Sequence, residues 1–192
     1  MGINRIAIDL DGVVFDTIKR ICELYNEDFS YYNNFVNISP DEIHTWEFRE
    51  LNCATPEQVD MYFTQSRFFT GLKLMPCAEW IIGKLADDFE IDFVSSGTMP
   101  NLRLKEAWKE KYFPYARLIG VNLDNHQDKS HIDLRNAIMI DDVEQNLETS
   151  NAPIKICYGK AYPWNMYWQG VRCETWSEVY GYIRKVVKNG AD

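Results

Sequence analysis

Short apolar runs recur along the chain: RIAIDL (5–10), EIDFVSS (90–96), RLIGV (117–121), NAIMIDD (136–142) and IKICY (154–158). They are rich in Ile and Val and nearly unbroken, so both faces of each run are apolar. That pattern suits parallel strands covered on both sides. The stretches 15–29, 77–87, 100–112, 143–149 and 176–188 read as helices. Strand–helix alternation predicts an α/β fold, a Rossmann-like parallel sheet with right-handed crossovers and helices on both faces.

Residues 17–75 break this rhythm and contain no convincing strand. They carry two helix-start signatures, SPDE (39–42) and TPEQ (55–58), each with a capping hydroxyl, Pro at the first helical position and Glu or Gln three residues after the cap. We therefore expect a sheet domain from residues 1–16 and 76–192, and a small helical cap, 17–75, inserted after the first strand. The insertion is rich in aromatics, among them Tyr31, Tyr32, Phe35, Trp46, Phe48, Phe68 and Phe69. These either form its own core or present a flat apolar surface over a pocket. A second aromatic stretch, YPWNMYW (162–168), reads as packing near the sheet edge.

Ligands of open α/β sheets bind beyond the carboxyl ends of the strands. The first run ends in Asp9 and Asp11, one residue apart, whose like charges repel unless a cation sits between them or one keeps its proton. The second ends in Ser95, Ser96 and Gly97, and the fourth in Asp141 and Asp142. Lys105 and Lys129 fall between these two ends. A few carboxylates with room left for water and phosphate oxygens describe a Mg²⁺ site, and the ion's charge would favour every ionised form. Each element also has a plainer reading. D-x-D-G alone makes a tight acidic turn, a hydroxyl at a strand end caps or turns, and a lysine on the charged helix RLKEAWKEKY is ordinarily solvated. Asn146, four residues past Asp142, reads as an orienter or a helix-surface residue. The three histidines show no ligand spacing.

Composition narrows the classes. The formal net charge of −9 opposes a long polyanion such as duplex DNA, while small phosphorylated ligands stay open. Five scattered cysteines without a C-x-x-C pair argue against a disulfide framework or structural zinc. No apolar run approaches the ~20 residues of a membrane span, and no signal-peptide pattern precedes the first strand. The expectation is a cytoplasmic protein without membrane partners. A homodimer is neither required nor excluded.

In this order the motifs resemble those of the haloacid-dehalogenase-type phosphatases: DLDGVVFDT their first, IDFVSSGT their second, IMIDDVEQNL their fourth. KEAWKEKYFP (105–114), DKS (128–130) and YPWN (162–165) are similar to segments of the 5′(3′)-deoxyribonucleotidase branch, in which Ser95 often has a threonine counterpart. The resemblance implies Mg²⁺, and an activity that hydrolyses the phosphomonoester of a small nucleotide. Asp9 would be nucleophile, and Asp11 general acid and base. Asp9, Asp11 (through its backbone carbonyl), Asp142 and Asp141 would form the metal shell, with Asp142 the direct ligand and Asp141 the partner of a lysine or a metal-bound water. Ser95, Ser96 and Gly97 would bind phosphate with a lysine, Lys105 being favoured over Lys129. Phe15 and Trp46 are the candidates for stacking on a base. Competing expectations are another small phosphate ester, a nucleic-acid end, or a phospho-acceptor domain. In that last class the acidic pair precedes the phosphorylated aspartate, the reverse of the order here.

Overall fold

The structure, a computed structural model, describes residues 2–189. Its centre is a parallel six-stranded sheet. In chain order the elements are β1 (Arg5–Ile8), α1 (Thr17–Asp28), α2 (Pro56–Tyr62), α3 (Ser66–Gly71), α4 (Ala78–Ala86), β2 (Glu90–Gly97), α5 (Met99–Tyr112), β3 (Arg117–Asn122), β4 (Ala137–Asp141), α6 (Glu144–Thr149), β5 (Ile154–Tyr158), β6 (Val171–Cys173) and α7 (Trp176–Asn189). The strand order is β3-β2-β1-β4-β5-β6. The winding reverses between β1 and β4, so their carboxyl ends open a crevice where doubly wound sheets bind ligands.

Alternation along each strand explains the unbroken apolar runs. Ile6 and Ile8 of β1 and Ile138 and Ile140 of β4 join one core cluster with Ile81, Leu85 and Val179. Ala7 and Met139 point to the other face and pack with Val94, Cys157 and Leu147. Successive side chains of a strand face opposite sides of the sheet, so a doubly covered strand needs apolar residues at every position. All five cysteines are free; Cys22, Cys157 and Cys173 are buried, and Cys77 is exposed. Among the described residues no helix is long and apolar enough to cross a membrane.

Three local readings of the sequence need correction. Residues 171–173 form a sixth strand, too short to show a period. SPDE makes its reciprocal capping box but starts only a 3-10 turn, Pro40–Glu42, because Ile43 is already extended. α3 has no capping signature and went unpredicted; Arg20 closes it by donating to the backbone carbonyls of Arg67 (2.6 Å) and Phe68 (3.2 Å). TPEQ does start a helix, α2, with both capping bonds made.

The helices between β1 and α4 share the sheet's core: Val59, Tyr62, Phe68 and Phe69 belong to the cluster that holds Val13, Val14 and Phe15. Polar contacts add to this junction. Asn101 Nδ2 donates to the Phe63 carbonyl (2.8 Å), and Lys160 pairs with Asp41 (2.9 Å). The turn after β1 is held from within and from α7. The Leu10 carbonyl accepts from the N–H groups of Val14 (3.0 Å) and Phe15 (2.8 Å), and Trp176 Nε1, from α7, donates to the Val13 carbonyl (3.0 Å). Trp176 is fully buried. Trp176→Phe keeps most of the packing and leaves that carbonyl without its partner, which costs about 1–3 kcal/mol. Urea denaturation should show a loss of this size; an unchanged midpoint would mean that the bond does not hold the turn.

Candidate active site

Asp9 follows β1 directly, and its N–H extends the ladder to the Ile140 carbonyl (2.9 Å). Its Oδ1 accepts from Lys129 Nζ at 2.5 Å, and the same ammonium donates to Asp141 Oδ2 at 2.6 Å. Lys129 is 1% exposed. Asp11 turns to the other lysine: its Oδ2 accepts from Lys105 Nζ (2.5 Å) and its Oδ1 from Thr17 Oγ1 (3.2 Å). Lys105, also 1% exposed, donates to Ser95 Oγ (2.8 Å) and the Ser96 carbonyl (2.7 Å). The two carboxylates of D-x-D therefore do not share one cation; each takes its own ammonium. Ser95 accepts with its oxygen, so its O–H is free to donate elsewhere.

Asp141 has no spare capacity. Besides Lys129 it accepts from the Val143 N–H (2.9 Å) and from Asn146 Nδ2 (3.2 Å). Asn146 is thus an orienter, reaching back from α6. Asp142 differs: its Oδ2 accepts only a neutral donor, Trp164 Nε1 (3.2 Å), and its backbone carbonyl accepts from Asn165 Nδ2 (2.8 Å). Gly12, at φ +74°, packs its Cα against this carboxylate; a Cβ there would lie 2.6 Å from Asp142 Oδ2. Gly97 is similarly closed in, since a Cβ would meet Asn101 Oδ1 at 2.1 Å.

Four buried or nearly buried carboxylates thus face two ammonium groups. Burial is the largest influence on Asp9 and pushes its carboxyl up to about 7; Lys129 opposes this, and Asp141 and Asp11 add to it. Burial, then Asp141 and Asp9, push Asp142 well above the carboxylate range. Burial also pulls Lys129 toward neutrality, but Asp141 and Asp9 outweigh it and hold its pKa above the ordinary lysine value. With all four carboxylates ionised the two ammonium groups leave an excess of negative charge, and this is the donor set that a hard divalent cation fits. Among the described residues no three Asp, Glu, His or Cys side chains form a ready-made cage. Asp141 is spent on Lys129, and Asp11 on Lys105 and Thr17. Asp9 Oδ2 and Asp142 Oδ1 accept no hydrogen bond from the described residues, so these two carboxylates could hold a divalent cation.

The aromatic candidates separate. Phe15 is fully buried, its ring edge-on to Trp108 at 4.4 Å, and it offers no face to a ligand. It belongs to the apolar turn VVF, and the reading of it as a base-stacking residue is corrected accordingly. Trp46 is half-buried and meets Trp164 edge-on at 5.6 Å, two contacts from Asp142. Trp164 and Asn165 are site residues that the sequence reading passed over as edge packing. A cavity of about 290 Å³ opens beside Gly12 and Asp142, between Pro40 and the Lys160–Tyr162 loop. Another, of about 720 Å³, lies at the amino ends of β2 and β3, by Asp92 and Arg117, and touches none of these residues.

Solved structures of haloacid-dehalogenase-like proteins share this fold. A predicted phosphatase from Clostridium acetobutylicum matches with a TM-score of 0.67 at 17% identity, over 96% of this chain and 100% of that one. A Bacillus subtilis protein provisionally named a haloacid-dehalogenase-type hydrolase, bound to magnesium, matches with a TM-score of 0.64 at 11% identity, over 95% and 99%. In sequence, a Staphylococcus epidermidis protein provisionally named a 5′(3′)-deoxyribonucleotidase is 24% identical over 115 residues, which span 58% of this chain and 61% of that protein. Residues 3–189 match the family described as "5' nucleotidase, deoxy (Pyrimidine), cytosolic type C protein", and the chain belongs to that family.

The charge excess predicts a stability effect. Among the described residues Asp142 has no ammonium partner, so Asp142→Asn removes buried repulsion while its side-chain oxygen still accepts from Trp164. In EDTA at pH 8 the variant should melt higher than wild type by at least ~2 °C, the shift of about 1 kcal/mol in a domain of this size. Mg²⁺ should raise the melting temperature of wild type more than that of the variant. A variant that melts lower in EDTA would contradict this electrostatic reading.

Proposed function

We propose that the chain is a Mg²⁺-dependent phosphatase that hydrolyses the phosphomonoester of nucleoside monophosphates, foremost deoxyribonucleotides, through an aspartyl-phosphate on Asp9. The observation that carries this reading is the buried Lys129, shared between Asp9 and Asp141 beside the separate Lys105–Asp11 pair. An ammonium at 2.5 Å opposes the tendency of burial to protonate Asp9, and so favours the nucleophilic form. The same ammonium is placed to offset charge on a phosphoryl group in transfer. On this reading Lys129 is the phosphate clamp and Lys105 the partner of the acid–base residue, with Ser95 Oγ and the backbone N–H groups of Ser96 and Gly97 as phosphate donors.

In the first step an Asp9 carboxylate oxygen bonds to phosphorus as the ester P–O bond breaks, and Asp11 gives a proton to the leaving alkoxide. In the second step Asp11 takes a proton from the water that attacks the acyl-phosphate, which releases phosphate and frees Asp9. To act, Asp11 must exchange one present partner, Lys105 or Thr17, for the reacting oxygen. Asp9, Asp142 and the Asp11 backbone carbonyl would hold Mg²⁺, which supplies positive charge against the phosphoryl oxygens.

The segment 17–75 serves as the cap on this reading. Trp46, half-buried and close to Trp164, is its candidate for stacking on a base, a contact worth about 1–3 kcal/mol in single-strand binders. Aromatic rings at this position favour a planar substrate group over a sugar.

Phosphate release should be measured over a panel of deoxy- and ribonucleoside monophosphates and sugar phosphates. Deoxyribonucleotides should be hydrolysed fastest, and EDTA should stop the reaction. Asp9→Asn should lose at least about 10³-fold in kcat/KM, as expected when a covalent nucleophile is removed, and Ser95→Ala about 10²-fold or more, as for a lost oxyanion donor. Asp9→Asn turning over at the wild-type rate would refute the covalent route, and preference for sugar phosphates would refute the substrate class. Trp46→Ala should raise KM for nucleotides without a matching fall in kcat; equal effects on nucleotides and inorganic pyrophosphate would remove Trp46 from base recognition.

A further inference from the structure

Trp164 lies in the connection between β5 and β6, and it is the side chain that reaches Asp142 Oδ2 from outside the strand-end turns. Its neighbours fix the indole on both sides. Tyr162 stacks on it at 4.3 Å with the rings 7° from parallel, and Trp46 meets it edge-on at 5.6 Å. The next residue, Asn165, is fully buried and holds Asp142 by its backbone carbonyl (2.8 Å), while its own Oδ1 accepts from the Tyr162 N–H (2.9 Å) and its carbonyl accepts from Arg172 (2.5 Å). One four-residue stretch, YPWN, therefore grips Asp142 at the main chain and at one carboxylate oxygen. Asp142 Oδ1 accepts no hydrogen bond from the described residues, and Asp142 has no ion-pair partner among them.

A carboxylate with one oxygen tied and the other free meets a cation in one orientation. Partners that orient a ligand in this way typically change metal affinity 10- to 100-fold when removed. A stacking role alone would need only an aromatic ring at 164, which Phe supplies. The indole N–H adds a donor aimed at a site carboxylate that no lysine among the described residues reaches.

We propose that Trp164 is a positioning residue for the divalent cation: its N–H fixes the orientation of Asp142, and the Tyr162 and Trp46 rings hold the indole in place. This rests on the reading of Asp142 as a metal ligand. The cap then contributes to the metal site through Trp46, without a ligand of its own.

The experiment is equilibrium Mn²⁺ binding to the full chain, read from the electron paramagnetic resonance signal of the free ion, which needs no turnover. Trp164→Phe keeps a ring in the stack and removes the donor; Trp164→Leu is the second variant, with melting curves to verify folding of both. Trp168→Phe is the control: it lies in the same connection, but its N–H bonds the Val171 carbonyl (3.0 Å). Both Trp164 variants should weaken Mn²⁺ binding by about 10-fold or more, Trp168→Phe should stay within about 2-fold of wild type, and Asp142→Asn should weaken binding most. If Asp142→Asn loses affinity while Trp164→Phe binds as wild type does, the positioning role is overturned and the metal reading stands. Equal weakening in Trp164→Phe and Trp168→Phe would reduce the effect to a loosened loop and overturn the role as well. Wild-type affinity in Asp142→Asn would overturn both readings together.

Discussion

Four aspartates and two lysines closed into one crevice set the terms for the rest of this molecule. The winding of the sheet makes this unavoidable: β1 and β4 are neighbours at the reversal, so whatever follows their carboxyl ends shares one space. Each lysine is divided among fixed partners, Lys129 between Asp9 and Asp141, and Lys105 among Asp11, Ser95 and the Ser96 carbonyl. Among the described residues Asp142 is left with hydrogen bonds alone. Burial raises the cost of that remaining charge, which is why a hard divalent cation would fit the site.

The surroundings hold this arrangement from several directions. Gly12 lets the turn after β1 close onto Asp142, where a side chain would collide. Trp176 in α7 secures the same turn from behind, and Asn146 and the Val143 N–H fix Asp141 from the start of α6. The helical segment 17–75 is not a separate globule: its Tyr62 and Phe68 lie in the same cluster as Val13 and Phe15. Its Asp41 and Trp46 reach Lys160 and Trp164 on the far side of the crevice.

Much of this was legible from the chain. Apolar runs such as AIMID demand cover on both faces, and that demand gives the parallel sheet and with it the meeting of Asp9, Asp11, Asp141 and Asp142. The lysines were visible as candidates, but their division was not. Which carboxylate a lysine reaches depends on the path of a loop in one case and the rotation of a helix in the other, and neither is encoded locally. Phe15 looked available because it adjoins D-x-D-G; in the fold it continues the buried run of Val13 and Val14. Trp164 looked like edge packing because its partner, Asp142, is 22 residues earlier and no periodicity links the two. β6 was missed because three residues carry no pattern.

The central claim is that this crevice makes Asp9 the group that accepts the phosphoryl unit. The most direct check is to quench the protein with borohydride during turnover of a deoxyribonucleoside monophosphate and map the modified residue by peptide mass spectrometry. Borohydride reduces an aspartyl-phosphate to homoserine. Homoserine at position 9, formed only when substrate and Mg²⁺ are both present, is the predicted result. Phosphate release with position 9 unmodified, or with the label on another residue, would contradict the account.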